Sequence, residues 1–322
     1  MKIIAGLFLN KKIETASDIE KYAGDVMSYV NYVDKLIIFN NCGIKQDMFW
    51  DVLSRFHNVE YVDCPNYGEV YNYKLFMYQA VKGEYDYAIP MCLDYYYEED
   101  AFLNLKRILA KIIAEKKEAP TVLSPYPLFT CEKEKQVARE YKEIMGCHLV
   151  GAFINVKDYS ESEGFLELYY QTTFDYDYCL TMRSKGKHIY VAENERLRNR
   201  NYRVLEKRIL TLHISTYEIS TYQLYYETRN RHYLWNKFEK TETQYVKKDK
   251  KMYRAELKEM ILADKMAREK RKIMRQAIID YRTNKMGKTF EEVSFTLKNS
   301  ESDEWYQLNF RFLSFKKHNR LV

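Results

Sequence analysis

The first half of the chain alternates apolar runs with stretches of helical spacing, and this alternation limits the possible folds more than any other feature. Apolar runs predict strands over residues 2–9, 35–39, 59–63 and 85–93. Helical spacing predicts helices over residues 16–30, 46–56, 69–81 and 102–115. Strands that alternate with helices of about 10–15 residues indicate βαβ units and a mostly parallel sheet. The expected fold class is therefore α/β.

The second half of the chain changes in character. Further short strands are expected at residues 121–123, 150–156 and 188–192. After about residue 205 the sequence becomes helical and rich in Tyr, Met, Lys and Arg, over residues 217–238 and 251–281. We therefore predict an α/β domain over residues 1–210 and a helical C-terminal region over residues 211–322.

Polar residues follow each of the first four predicted strands. These are Asn10, Asn40, Asn66 and Asp94. In open α/β sheets, ligands bind beyond the carboxyl ends of the strands. We expect these four turns to converge on one cleft.

Two carboxylates, Asp175 and Asp177, lie two residues apart in an aromatic stretch ahead of a pattern typical of a helix and its end. A carboxylate beside apolar rings is desolvated, which raises its pKa and suits it to act as a base near neutral pH. The alternative is that one of the two carboxylates only caps the helix that follows.

Charge and cysteine content narrow the class of protein. The net charge is +6, and six of the eleven residues from 265 to 275 are basic. Such a run indicates an anionic partner, namely a membrane surface, nucleic acid or a phosphorylated substrate, or else a solvated helix face. The six cysteines form no Cys-x-x-Cys pair, as expected for reduced thiols in a cytosolic protein. No apolar run approaches the ~18 residues of a membrane span.

Several common catalytic patterns are absent from the sequence. The six histidines form no i, i+4 pair and no His-x-Glu motif, so metal–histidine chemistry is not expected. The glycine fingerprints of P-loop and dinucleotide-binding proteins are also absent.

Seven short segments, in this order, resemble the motifs of family 2 glycosyltransferases of the GT-A fold. Within that family the chain looks most like bacterial rhamnosyltransferases of cell-wall and capsular polysaccharide synthesis. The segments are residues 6–10, 33–43, 66–68 (Asn-Tyr-Gly), 89–96, 151–154, 173–186 and 225–231 (Tyr-Tyr-Glu-Thr-Arg-Asn-Arg). Together they cover about residues 1–240.

The resemblance implies an inverting glycosyltransferase that moves a sugar, with rhamnose as one candidate, from a nucleotide-diphosphate donor to a polysaccharide or lipid-linked acceptor. Hexosyl and galactofuranosyl transfer stay open. Asp175 would be the catalytic base, with Asp177 as second choice. The donor-binding residues would be Asn10, Asn40, Asn66, Gly68, Asp94 and Arg183, with a structural ion pair as the alternative for Arg183. Arg229 and Arg231 would contact the acceptor or a phosphate.

The chain departs from the family pattern at two places. Asn40 stands where an Asp usually contacts the base or ribose, and Tyr96 replaces the second Asp of the Asp-x-Asp metal motif. Asp94 would then hold Mn²⁺ or Mg²⁺ as the single motif carboxylate, although these ions prefer several oxygen ligands. Lys or Arg could serve in place of the metal. A degenerate, non-catalytic GT-A partner protein is one alternative that follows.

Another alternative is a basic peripheral-membrane binding protein. Residues 252–274 carry an apolar face at helical spacing among many Lys and Arg, as in helices that lie at a membrane surface. The same face could pack on the catalytic domain or on a second subunit in a homo-oligomer. We expect a cytoplasmic protein, at the inner face of the cell membrane if this helix docks there, and no nucleic-acid partner.

Overall fold

A computed structural model describes residues 1–43, 45–128, 138–200, 204–209 and 212–289 of the protein. Its centre is a sheet with the strand order β3-β2-β1-β4-β8-β6-β9-β5, and β7 pairs with β9. The strands are β1 Ile3–Leu9, β2 Lys35–Asn40, β3 Val59–Asp63, β4 Tyr87–Cys92, β5 Tyr95–Tyr97, β6 Val122–Leu128, β7 Tyr141–Glu143, β8 Phe153–Asn155 and β9 Ile189–Asn199.

The sheet is mostly parallel. β1 pairs in parallel with β2 on one side and β4 on the other, so that Leu7 lies opposite both Ile38 and Met91. β3 and the β6–β9 pair run in the same direction, whereas β5, β7 and β8 run against it. Every residue of β1 is buried, as expected for a strand covered by helices on both faces.

Helices cover both faces of the sheet, and their side chains form two large apolar clusters. They are α1 Ala16–Met27, α2 Asp47–Leu53, α3 Glu69–Lys82, α4 Ala101–Lys116, α5 Val156–Ser160, α6 Phe174–Ser184, α7 Thr221–Phe238, α8 Thr243–Ala263 and α9 Ala267–Arg282, with 3-10 turns at Val30–Tyr32 and Glu167–Tyr169. The predicted fold class, a mostly parallel α/β sheet flanked by helices, is confirmed.

The helical C-terminal region packs against this core. α7 begins with a reciprocal capping box between Ser220 and Gln223, and its buried Leu234 and Phe238 join the apolar cluster on one sheet face. A two-stranded hairpin precedes α7, formed by β10 Val204–Ile209 and β11 Leu212–Tyr217. The predicted domain boundary at residues 210 and 211, and everything beyond residue 289, lie outside the described residues.

The helix predicted over residues 251–281 is wrong as a single element. α8 ends at Ala263, Asp264 adopts an extended backbone, and the Asp264 carboxylate accepts a hydrogen bond of 2.7 Å from the Met266 amide at the start of α9. Aspartate favours such local bonds over a helix interior, so the chain turns there. Lys270 is buried and paired with Asp264. Among the described residues, no helix is both long and apolar enough to cross a bilayer.

Candidate functional site

The carboxyl ends of the parallel strands β1 to β4 lie at one edge of the sheet, and of the four residues predicted to share a cleft, Asn40 lines the cleft found there. Asn10 follows β1 and is exposed, Asn40 ends β2, Asp63 ends β3, and Asp94 follows β4. At the ends of β2 and β3 lies an open cleft of about 370 Å³. Its lining includes Asn40, Gly43, Lys45, Asp63 and Cys64.

Asn40 stands where the resemblance implies a carboxylate. The neighbouring strand β3 supplies a carboxylate to the same place. The buried Asn40 donates a hydrogen bond of 2.7 Å from Nδ2 to Oδ1 of Asp63, which is exposed at the cleft. Carboxylates accept hydrogen bonds only, so Asp63 suits the hydroxyls of a ribose or sugar. Sequence reasoning missed Asp63, since only the parallel pairing of β2 with β3 brings it to Asn40.

Asn66 and Gly68 shape the start of α3. The Asn66 side chain accepts a 3.2 Å hydrogen bond from the Gly68 amide. Gly68 has φ of +103°, and a Cβ atom there would lie 2.5 Å from the Tyr170 ring. A side chain at residue 68 would therefore be both strained and obstructed. Gly68 allows the N-terminus of α3 to approach the segment that leads to Asp175.

Asp94 is bound by a lysine. Both of its carboxylate oxygens accept hydrogen bonds from Lys11 Nζ, at 2.9 and 2.8 Å. The Asp94 side chain is 12% exposed and the Lys11 side chain 37%. Burial lowers the pKa of Lys11, but the bonds and charge of Asp94 outweigh it and leave the pKa raised. Lys11 is therefore a cation at the carboxyl end of β4.

Tyr96, which stands in place of the second motif Asp, is also covered by a cation. The Arg200 guanidinium carbon lies 4.2 Å from the centre of the Tyr96 ring, and the same guanidinium forks onto the buried Asp25. Within the described residues, no group of three His, Cys, Asp or Glu side chains could hold a metal ion. With one carboxylate already bonded through both oxygens, the residues around Asp94 do not fit a divalent metal.

Asp175 forms a pair with His148. Asp175 lies in the first turn of α6, where Oδ1 accepts a 2.8 Å hydrogen bond from the Tyr176 amide and Oδ2 lies 2.6 Å from His148 Nδ1. The Asp175 side chain is 7% exposed, whereas His148 is 57% exposed. Partial desolvation against the protein lowers the pKa of His148, but the charge and the hydrogen bond of Asp175 raise it by more, and the net direction is upward.

Histidine spacing led only to the expectation that metal–histidine chemistry is absent, and spacing could not reveal this pair. His148 and Asp175 are 27 residues apart, and they meet only because the 144–149 loop packs on the start of α6. A buried carboxylate that is bonded to an exposed imidazole can orient this imidazole as a base toward a substrate.

Glu69, in the first turn of α3, accepts a 3.2 Å hydrogen bond at Oε2 from the Thr172 amide. Burial raises the pKa of Glu69, the Thr172 amide lowers it, and the Asp175 charge raises it. The Glu69 charge in turn raises the pKa of Cys92, the last residue of β4. The bond from the Thr172 amide to Glu69 therefore joins the start of α3 to the residues just before α6.

Hydrogen bonds and an ion pair within the protein hold Asp177 in place. It accepts hydrogen bonds from the Tyr169 hydroxyl at 2.7 Å and from Lys237 Nζ at 2.7 and 2.9 Å, and it is buried. Lys237 lies near the end of α7, so the ion pair ties α6 to the C-terminal region. These bonds leave Asp175 as the carboxylate of the two that faces an exposed acid–base group.

The residues just before α6 have an unusual backbone. Tyr170, Thr172 and Thr173 have φ values of +62°, +43° and +71°. Positive φ is costly for β-branched residues such as Thr, and such conformations cluster at functional sites. Residues 169–173, named the 169–173 segment below, come directly before α6, whose first turn carries Asp175.

Asn230 and Arg229 hold the 169–173 segment in this conformation. Asn230 Nδ2 donates to the carbonyl oxygens of Tyr169, Gln171 and Thr172 at 3.0, 2.5 and 3.2 Å. Arg229 Nη2 donates to the Tyr169 carbonyl at 3.3 Å, and its Nη1 donates to the Gly287 carbonyl at 2.8 Å. Both residues are fully buried.

Three arginines therefore have different positions from those the resemblance implies. Arg229 is in the interior, and its N–H groups serve protein carbonyls rather than a phosphate. Arg231 is paired with Glu227 and Asp249 at 3.1 and 3.0 Å. Arg183 lies about 12 Å along α6 from Asp175, next to Glu143 and Glu242 at 3.7 and 3.6 Å, which is the structural ion pair.

Comparison with known proteins gives distant likenesses only. No protein-family model and no curated protein sequence matches the chain. A crystal structure of GalNAc-T7 with UDP, GalNAc and Mn²⁺ has a TM-score of 0.49 at 10% identity, over 72% of this chain and 47% of GalNAc-T7. The chain thus spans about half of that protein.

S. aureus TarS 1-349 has a TM-score of 0.43 at 12% identity, over 88% of this chain and 72% of that one. The same protein in complex with UDP-GlcNAc gives 0.43 and 12%, over 86% and 72%. Each of these TM-scores is below 0.5.

Proposed function

We propose that the protein is a glycosyltransferase that moves a sugar from a nucleotide-diphosphate donor to a hydroxyl of a glycan or lipid-linked acceptor. The observation that carries this proposal is the Asp175–His148 pair, which Glu69 and Gly68 connect to the turn before α3 through Thr172 and Tyr170. A buried acid, an exposed base and a cation at a strand end are what the reaction needs.

The donor side of the site is the cleft beyond β2 and β3. Asn40 orients Asp63, and the exposed Lys45 adds a positive charge at the same cleft. We propose that Asp63 accepts from the ribose hydroxyls, in place of the carboxylate that the resemblance implies at Asn40, and that the diphosphate extends toward Lys11. Asn10, Asn66 and Gly68 would then border the nucleotide through the turns that they form.

The acceptor side is the start of α6. The acceptor hydroxyl must lose its proton as its oxygen attacks the anomeric carbon, while the bond from that carbon to the diphosphate breaks. His148 is the exposed member of the pair, so we propose that Nε2 takes the proton while Asp175 holds Nδ1–H. The diphosphate leaves from the opposite face of the sugar, which inverts the anomeric carbon.

A membrane-associated acceptor is supported by the surface of α9. Arg268, Arg271, Lys272 and Arg275 are exposed there, and an anionic membrane contributes about 1 kcal/mol for each such residue near it. The apolar residues of the same region are divided, because Met260 and Ile273 are buried in the protein whereas Met266 is 47% exposed. Rhamnose as the transferred sugar rests on the resemblance of residues 225–231.

The variant Asp175→Asn tests the proposed chemistry. It keeps the shape of the side chain and removes the carboxylate charge, so transfer should fall by ~10²–10⁴-fold while nucleotide binding by calorimetry is kept. Asp18→Asn, in the first turn of α1, is a matched control for a lost helix-start carboxylate. Transfer by Asp175→Asn at the wild-type rate would show that this pair is not the base.

A further inference from the structure

We propose that the Lys11 ammonium, supported by Arg200, takes the place of a divalent metal at the donor diphosphate, so that nucleotide binding needs no metal. This inference rests on the proposed glycosyltransferase function. It concerns the position at which the resemblance implies Asp-x-Asp and a bound Mn²⁺ or Mg²⁺.

The first step concerns the oxygen ligands of Asp94. A metal at this place would need the Asp94 oxygens, yet both of them accept from Lys11 Nζ at 2.9 and 2.8 Å. Mg²⁺ and Mn²⁺ bind through oxygen ligands at ~2.1 Å and usually keep several of them. A metal would therefore have to displace an ammonium that already sits within hydrogen-bond distance of the whole carboxylate.

The second step concerns residue 96. Its side chain is an aromatic ring with no carboxylate, and the Arg200 guanidinium lies on that ring at 4.2 Å. Arg200 N also donates a 2.9 Å hydrogen bond to the Asp94 carbonyl oxygen, which fixes the end of β9 against the turn after β4. Tyr96, which stands in place of the second motif Asp, therefore offers no carboxylate to a metal, and it holds the Arg200 cation at the same turn.

The third step concerns access. The Lys11 side chain is 37% exposed and that of Arg200 36%, although their carboxylate partners, Asp94 and Asp25, are 12% and 5% exposed. The cations are the outer members of both pairs, and the carboxylates are the inner ones. An arriving diphosphate would meet positive charge first, and Lys and Arg are both common phosphate ligands in proteins.

The chemistry needs only a cation. When the sugar–oxygen bond breaks, negative charge develops on the diphosphate, and a fixed positive group stabilises it whether that group is a metal ion or an ammonium. Asp94 keeps Lys11 in place and is a positioning residue in this account.

The test is calorimetric titration of the full chain with UDP, dTDP and GDP, first in EDTA and then with MnCl₂. At least one nucleotide should bind with a dissociation constant that differs less than about two-fold between the two conditions. Lys11→Met should raise that constant about 10- to 100-fold, the usual effect of losing a charge-assisted hydrogen bond. Lys12→Met is the matched control, because Lys12 is 52% exposed and pairs with the exposed Glu14 at 3.3 Å.

Two variants protect the test against misfolding. Lys11→Met with Asp94→Asn leaves no unpaired carboxylate and should show the same loss of affinity, and Lys11→Arg should recover most of it. Nucleotide binding that appears only with MnCl₂, or that survives Lys11→Met, would overturn the metal-free inference while the proposed function stands. Failure of all three nucleotides under both conditions would overturn the proposed function itself.

Discussion

Asn230→Ala should destabilise the protein and impair catalysis, although residue 230 makes no contact with the proposed substrates. The Asn230 amide donates to three carbonyl oxygens of the 169–173 segment. The Tyr169 carbonyl keeps a second donor in Arg229. The Gln171 and Thr172 carbonyls, in contrast, lose the hydrogen-bond donor that Asn230 provides. Each buried carbonyl left without a partner costs ~1–3 kcal/mol, which gives a loss of about 2–4 kcal/mol for these partly buried groups.

The catalytic part of this prediction follows from backbone strain. Thr172 and Thr173 hold positive φ values only while the surrounding bonds enforce them. Without the Asn230 amide the segment should relax and shift the start of α6, and with it Asp175. We expect kcat to fall at least 10-fold and the nucleotide affinity to fall less, because Asp63 and Lys45 of the donor cleft lie on other elements, whereas Gly68 packs on Tyr170 of this segment.

The assay is urea denaturation followed by tyrosine fluorescence, with kcat and nucleotide affinity measured on the same preparations. Asn104→Ala is the control, because the Asn104 amide donates one bond, to Glu195, and supports no strained segment. Its expected loss is below about 1 kcal/mol. Asn230→Ala within about 0.5 kcal/mol of the wild type, with unchanged kcat, would refute the role assigned to this amide.

Further predictions concern the glycine turn, the base and the basic surface. Gly68→Ala should lower the free energy of unfolding by ~1–3 kcal/mol and weaken nucleotide binding, because residue 68 has a positive φ and faces the Tyr170 ring. Gly24→Ala, at a helical position with open space around it, should leave stability unchanged or raise it. Equal effects of the two substitutions would contradict the reasoning. The rate constant kcat/KM should rise with pH through the pKa of His148, which Asp175 holds above the ordinary 6.5. The variant Asp175→Asn should move this rise to lower pH. A pH profile that does not move would exclude His148 as the base. The intact protein should pellet with anionic liposomes at low salt and lose this binding when Arg268, Arg271 and Lys272 are changed to Glu; no pelleting of the wild type would exclude α9 as a membrane contact.

Strands β1, β2 and β4 could be predicted because each is a short apolar run that is buried in the sheet, and the less buried edge strand β3 because Val59, Tyr61 and Val62 are apolar. The segment 59–63 has the predicted bounds, and β1 differs by one residue. The hairpin of β10 and β11 was missed because its strands are mixed in polarity and lie at the surface, so they lack a buried run. The break at Asp264 was missed because helical spacing continues across it, and only the local aspartate bond ends α8.

The site was harder to predict than the fold because its pairs are tertiary. Lys11 and Asp94 are 83 residues apart, and His148 and Asp175 are 27 apart, so no local pattern reveals either pair. Sequence reasoning found one member of each, since Asp94 follows a strand and Asp175 starts a helix. The resemblance of residues 225–231 placed Arg229 at the acceptor or a phosphate, but its guanidinium is fully buried among carbonyl oxygens.

The most direct test of the central claim is a thermal-shift panel of UDP-, dTDP- and GDP-sugars on the wild type and on Asp63→Ala. Ligand at 100 times its dissociation constant stabilises a protein by about 2.7 kcal/mol, a shift readily seen on heating. We predict that the sugars of at least one nucleotide stabilise the wild type and that Asp63→Ala abolishes or greatly weakens the effect. If no nucleotide sugar shifts the melting temperature of the wild type, the protein is not a glycosyltransferase with a donor site at the ends of β2 and β3.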